Sequence, residues 1–128
     1  MLSFIRRHKG EKLVPTLCDA PNLDPFGSCR VCSVDVAVAQ DGKMKTMASC
    51  HNPVMEGQYL YPSTPDIKSL RKNIIELVLT DHPLECLTCE VNGNCELQTV
   101  AAQVGIRDVR YPEGENHLHY EKDWSHPY

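Results

Sequence analysis

The chain carries seven cysteines, at positions 18, 29, 32, 50, 86, 89 and 95, and their number and spacing restrict its fold more than any other feature. Seven is odd, and the opening MLSFIRRHKG is basic but leads into no apolar stretch of the kind a secretory signal needs. An extracellular disulfide scaffold therefore does not suit the chain. In a reducing compartment such cysteines read as metal ligands or catalytic thiols. They divide into Cys18, Cys29, Cys32 and Cys50, and then Cys86, Cys89 and Cys95. The second group sits in DHPLECLTCEVNGNCELQ, where His82 stands four residues ahead of Cys86 and completes a second set. Every cysteine is used, and each set reaches the four ligands of a metal site or cluster.

Other function classes are excluded by composition. At 128 residues the chain is one domain or two small ones, too short for a large enzyme core. A net charge of -4 and a pI near 5.8 argue against nucleic acid or an anionic membrane as the main partner. No apolar run approaches the ~20 residues needed to cross a bilayer, so direct membrane insertion is not expected and a cytoplasmic location is. The sequence shows no Gly-rich phosphate loop and no Ser/His/Asp or paired-carboxylate constellation, hence no complete active site.

The first ligand set lies on a loop and a hairpin. PTLCDAPNLDPFGSCRVC holds Pro15, Pro21, Pro25 and Gly27 and should run irregularly. Val34, Val36 and Val38 alternate with Asp35 and Ala37, the pattern of a half-buried strand. Asp41-Gly42 reads as a two-residue hairpin turn, with Lys43 to Ser49 returning and Met44 and Met47 as filler. In that register Ser33 faces Cys50, so the distant fourth cysteine comes back beside Cys32.

The second set follows a helix. Thr64 is an N-cap, Pro65 takes the first helical position and Asp66 lies in the first turn. Ile67, Leu70, Ile74, Leu77 and Val78 recur at helical spacing, which leaves Lys68, Arg71 and Lys72 as a solvated face. The helix should end near Asp81-His82-Pro83, since Pro83 disfavours helical geometry before it. Asn92, Gly93 and Asn94 permit a tight turn before Cys95. Leu97, Val100, Ala101 and Val104 then mark a short amphipathic helix stopped at Gly105.

Two chemistries compete for these ligands. Backbone N–H groups of a Gly-rich loop, such as that at Gly27 and Ser28, suit the sulfides of an iron–sulfur cluster. Structural zinc also takes four cysteines, but zinc ribbons usually supply two Cys-x2-Cys knuckles, and here one knuckle joins two scattered cysteines. That favours iron and sulfur at the first set. At the second, the residue types fit a cluster with one imidazole corner or a zinc site of three cysteines and one histidine. A neutral imidazole removes one negative charge and eases reduction, as in Rieske centres. His117, His119 and His126 read as exposed tail residues. His51 reads as a solvent-facing imidazole, with a hydrogen bond to the neighbouring cluster as the alternative.

DHPLECLTCEVNGNCELQ closely resembles a segment of the large iron–sulfur subunit of NADH:quinone oxidoreductase (respiratory complex I). The same segment occurs in NAD-linked formate dehydrogenase catalytic subunits, [FeFe]-hydrogenases and the diaphorase subunit of NAD-reducing hydrogenases. PTLCDAPNLDPFGSCRVC with Cys50 resembles the ferredoxin-like domain preceding it there. The ten residues between Cys18 and Cys29 match this branch and not plant-type ferredoxins, whose first gap is about four. The resemblance runs over roughly residues 2 to 127. It implies a [2Fe-2S] cluster on Cys18, Cys29, Cys32 and Cys50, and a [4Fe-4S] cluster on His82, Cys86, Cys89 and Cys95.

The family's ferredoxin domain is a β-grasp that opens with a hairpin and a helix. Here MLSFIRRHK is similar to that helix alone, so the hairpin is missing and the strand at residues 31–38 is expected to be an unprotected edge. SHPY ends where longer members continue, which points to a fragment, a misplaced start or a naturally short subunit. The expected fold is α+β: a truncated β-grasp [2Fe-2S] domain at 1–63, then a small helical [4Fe-4S] domain with tail at 64–128. The expected function is electron relay between an NAD(P)H–flavin partner and a molybdopterin- or hydrogen-activating domain. The competing expectation is a zinc-stabilised interaction module.

Overall fold

In the computed structural model, which describes residues 1–111 and Ser125, the middle of the fold is strand β1 (Ser33–Ala37). Strand β2 (Lys45–Ala48) pairs with it on one side and β3 (Tyr59–Tyr61) on the other, both antiparallel. Helix α1 (Leu2–Lys9) precedes the sheet; α2 (Pro65–Thr80) and α3 (Glu96–Gln103) follow it. The class is α+β, as expected. His117, His119 and His126 lie outside the described residues.

Three expectations are corrected here. β1 is central and buried along its whole length, so it is neither half-buried nor an edge. The second partner, β3, is three residues long and gives no periodicity to read. The hairpin register also differs. Ser33 opposes Ala48, not Cys50, because the turn is Ala39–Gly42, closed by a 3.0 Å bond from Gly42 N–H to the Ala39 carbonyl. Gly42 is thus the last residue of a four-residue turn, a position glycine favours, and not its centre. A two-residue slip keeps every side chain on its face.

The third correction concerns α2. Its cap is as expected: Thr64 Oγ1 accepts from the Ile67 N–H at 3.2 Å, and the helix ends at Thr80. The buried stripe, however, runs through Ile67, Arg71, Ile75 and Glu76, while Leu70, Leu77 and Val78 are exposed. Arg71, whose charge suggests the solvated face, is only 4% exposed. Its guanidinium donates to the Ser33 carbonyl at 2.7 Å and to the Leu13 carbonyl at 3.4 Å, and these partners lie far away in sequence. Glu76, fully buried, accepts from Arg110 Nε at 2.7 Å.

Each face of β1 meets a different layer. Val34 and Val36 join Leu2, Ile5, Val14, Cys32 and Ala48 in a first apolar core beneath α1. On the other face Asp35 accepts from Thr46 Oγ1 and Thr64 Oγ1, both at 2.7 Å, so the start of α2 satisfies a buried carboxylate. A second core gathers Val31, Ile75, Val100 and Ile106, with Leu17, Cys29 and Leu97 against it. α3 closes that core and ends in a Schellman motif. Ile106 N–H bonds to the Ala101 carbonyl and Gly105 N–H to the Ala102 carbonyl, with Gly105 at φ +77.

Arg71→Leu should lower the unfolding free energy by about 2–3 kcal/mol, because two carbonyls lose their donor at about 1 kcal/mol or more each. Lys68→Leu, on the exposed face, should change it by less than about 0.5 kcal/mol. Denaturant unfolding of both variants checks the pair.

Candidate metal centres

Cys18 and Cys29 hang on the irregular loop between Val14 and Val31, Cys32 leads into β1, and Cys50 follows β2. The Ser49 N–H and Oγ both donate to the Cys32 carbonyl, at 3.2 and 2.7 Å. This carries the sheet pairing one step past β2 and sets Cys50 beside Cys32. The outcome expected from the sequence is reached, but through a different register. The side chains of Cys18 and Cys29 interact with each other, and so do those of Cys32 and Cys50. Charge on Cys18 also acts on Cys50, so the two pairs are neighbours.

Backbone conformation aims donors at these sulfurs. Arg30, between Cys29 and Cys32, takes φ +61, the only positive φ of a non-glycine among the described residues. A bond of 3.1 Å from Ser33 N–H to the Arg30 carbonyl, and one of 2.6 Å from Ser33 Oγ, hold it there. Left-handed geometry costs about 1 kcal/mol or more outside glycine, and such strain clusters at functional sites. The sequence carries no signal for it. Around this turn the backbone N–H of Val31 reaches the Cys29 sulfur, that of Ser28 reaches Cys18, and that of Gly27 reaches Cys50.

Thiol acidities differ accordingly. Burial, then the Cys32 side chain and neighbouring thiolate charge, push Cys50 up to about 11. Burial also raises Cys29, but N–H donors and the Cys18 side chain outweigh it and leave Cys29 below its ordinary value. At Cys18 a backbone bond from Cys29 favours the thiolate, yet burial and the Cys29 side chain carry the net shift upward.

The second set is arranged differently. His82 follows the end of α2, and Cys86 opens a 3-10 turn, Cys86–Thr88. Cys89 comes next, and Cys95 is the N-cap of α3. The Asn92–Asn94 turn has Gly93 at φ +80, and Gln98 clamps it by accepting from Gly93 N–H at 3.1 Å and donating to Asn92 Oδ1 at 2.9 Å. All four side chains, His82, Cys86, Cys89 and Cys95, line one cavity of about 300 Å³. Leu79, Leu97, Ala101 and Ile106 form its apolar wall. Cys89 is exposed, so this site is open on one side. Among the described residues no group of three or more His, Cys, Asp or Glu side chains is arranged to hold one metal ion. The donors face a shared space instead.

Residues 71–110 match the model of the NADH-ubiquinone oxidoreductase-G iron-sulfur binding region. Over that segment the chain is similar to that family. It contains His82, Cys86, Cys89 and Cys95, so a [4Fe-4S]-type binding region accounts for the second set's surroundings. Similarity extends beyond the matched region. NADP-reducing hydrogenase subunit HndD of Solidesulfovibrio fructosivorans is 39% identical over 118 residues, covering 88% of this chain and 19% of the relative. The NADH-quinone oxidoreductase-G of Rickettsia prowazekii is 35% identical over 111 residues, 87% of this chain and 15% of the relative. NADPH-Fe(3+) oxidoreductase subunit alpha of Geobacter sulfurreducens is 32% identical over 87% of this chain and 13% of its own length. The chain thus spans less than a fifth of these relatives. Among solved structures, an NAD+-reducing [NiFe]-hydrogenase in the H2-reduced state shares the fold with a TM-score of 0.70 at 27% identity. That match covers 89% of this chain and 45% of the other. These relatives are named as hydrogenase or oxidoreductase subunits linked to NADH, NADPH or NADP. Among the described residues no helix is long and apolar enough to cross a membrane.

In the iron-free chain, Cys50 should alkylate far more slowly than Cys29. At pH 8 a thiol of pKa about 11 is about one part in a thousand thiolate, and the thiolate is the nucleophile. Its rate should climb steadily as pH rises toward 11. Iodoacetamide labelling with mass-spectrometric mapping reads this directly; equal rates at pH 8 would contradict the burial argument.

Proposed function

We propose that the chain relays electrons between two centres, a [2Fe-2S] cluster on Cys18, Cys29, Cys32 and Cys50 and a [4Fe-4S] cluster on His82, Cys86, Cys89 and Cys95. The observation that carries this reading is the second apolar core. Cys29 packs against the same cluster whose members Leu79, Leu97, Ala101 and Ile106 wall the second cavity. An apolar bridge therefore runs from Cys29 of one set to the chamber of the other.

The donor sets fit the groups. Four thiols in two interacting pairs suit two irons, each needing two protein ligands, and the N–H groups of Gly27, Ser28 and Val31 offset thiolate charge. At the second set, ligands closed around a single zinc at about 2.0–2.3 Å leave little space between them, whereas a cavity separates these four. When bound, iron–sulfur clusters take up and release single electrons. The protein's share is holding them, excluding water on the apolar side and setting their charge environment. His82 contributes a neutral corner.

In this reading residues 1–63 form a β-grasp-like [2Fe-2S] unit and residues 64–128 a helical [4Fe-4S] unit. The partners are an NAD(P)H–flavin subunit on one side and a molybdopterin- or hydrogen-activating domain on the other. The parent is an oxidoreductase of the NADH dehydrogenase, hydrogenase or formate dehydrogenase type, placed in the cytoplasm.

Anaerobically reconstituted chain should bind about six irons, two in one centre and four in the other. Iron near zero with stoichiometric zinc would favour the interaction-module alternative and end the relay reading. His82→Cys should keep the [4Fe-4S] centre and lower its potential, because a thiolate adds negative charge at iron. His82→Ala should lose occupancy. Unchanged spectra and potential in both variants would remove His82 from the ligand set.

A further inference from the structure

The Asn52 side-chain amide lies 2.7 Å from the Ala48 carbonyl oxygen and 3.4 Å from His51 Nε2, through the same nitrogen, Nδ2. A carbonyl oxygen only accepts, so the atom facing it is the NH2 end of the amide. That fixes Asn52 as a donor, and its second N–H meets Nε2, which must then be the bare, accepting nitrogen of the ring. In a neutral imidazole the proton is consequently on Nδ1. Nδ1 stands 3.9 Å from the Cys50 sulfur, at the long end of hydrogen bonds to sulfur.

The ring's seat is also built. A Cβ on Gly27 would lie 2.7 Å from both His51 Cε1 and Nδ1 and 3.3 Å from Ala48 Cβ. Only a glycine lets the imidazole lie flush there, and Gly27 sits at φ +77, a conformation other residues rarely take. The segment is pinned from the far side too, since the Met1 ammonium donates to the Asn52 carbonyl at 2.8 Å and Leu2 N–H to the Ser49 carbonyl at 2.9 Å.

We propose that His51 is a positioning residue of the first centre, held by Asn52 and Gly27 as an Nδ1–H donor to the Cys50 sulfur, where it raises that centre's reduction potential. The proposal rests on the reading of Cys50 as a cluster ligand. A donor to a ligand sulfur stabilises the extra negative charge of the reduced state, so its removal lowers the potential. The ring does not touch iron; it acts through Cys50.

The test is redox-poised EPR of the full chain carrying both centres, with every variant measured at the same pH. His51→Leu should shift the first centre's potential downward and leave the second's unmoved. His51→Asn, whose amide nitrogen falls near the Nδ1 position, should hold the first potential close to that of the unaltered chain. His51→Gln, whose nitrogen falls near Nε2, should behave like His51→Leu. Identical potentials in all three variants overturn the proposal, as does retention by Gln with loss by Asn, or an equal shift of both centres. Should His51→Leu lose the centre outright, Asn52→Ala decides, because it frees the ring without replacing it. A smaller downward shift supports the donor role, and an unmoved potential refutes it. If the unaltered chain itself shows no [2Fe-2S] signal, the ligand reading fails and the proposal falls with it.

Discussion

Two successive carbonyls, those of Cys32 and Ser33, join the parts of this fold. The first receives both hydrogen bonds of Ser49 and so brings Cys50 to its partners; the second receives the buried guanidinium of Arg71 and so seats α2 on the sheet. One dipeptide thereby organises the first cysteine set and fixes the helix that precedes His82. Neutral backbone groups do this work, and a buried cation among them costs several kcal/mol in desolvation that its hydrogen bonds must offset. Arg71 is accordingly held below its ordinary pKa by burial, with Cys32 and Asp35 opposing the shift.

Features that depend on a few consecutive residues are legible in the sequence. The Thr64-Pro65 cap, the stop before Pro83, the Asn92–Asn94 turn and the Gly105 terminus all stand where local chemistry puts them. Each is a backbone preference completed within about six residues. Features that depend on distant partners are not legible. Arg71 is buried because Leu13 and Ser33 offer carbonyls, and β1 is central because Tyr59–Tyr61 comes back to it. Neither fact leaves a periodic trace in the neighbourhood of the residue concerned.

The candidate sites show the same division. Cysteine count and spacing sort the ligands into two sets, and a hairpin after Val38 implies that Cys50 returns, although by the wrong register. What spacing does not convey is how the two sets are served. The first is enclosed by N–H donors around a strained Arg30; the second faces a cavity with one apolar wall and an exposed Cys89. Enclosure and openness are properties of packing.

Val31 is the residue on which the halves overlap. It lies between Cys29 and Cys32, yet its fully buried side chain completes a core otherwise made by Ile75, Val100 and Ile106. The two cysteine-bearing halves are therefore not separable cassettes. A cut near residue 63 would take Leu17, Cys29 and Val31 out of the second core and leave its helices with an open seam. What can be grafted or duplicated with its core intact is the pair of halves, since the apolar seam between them is shared.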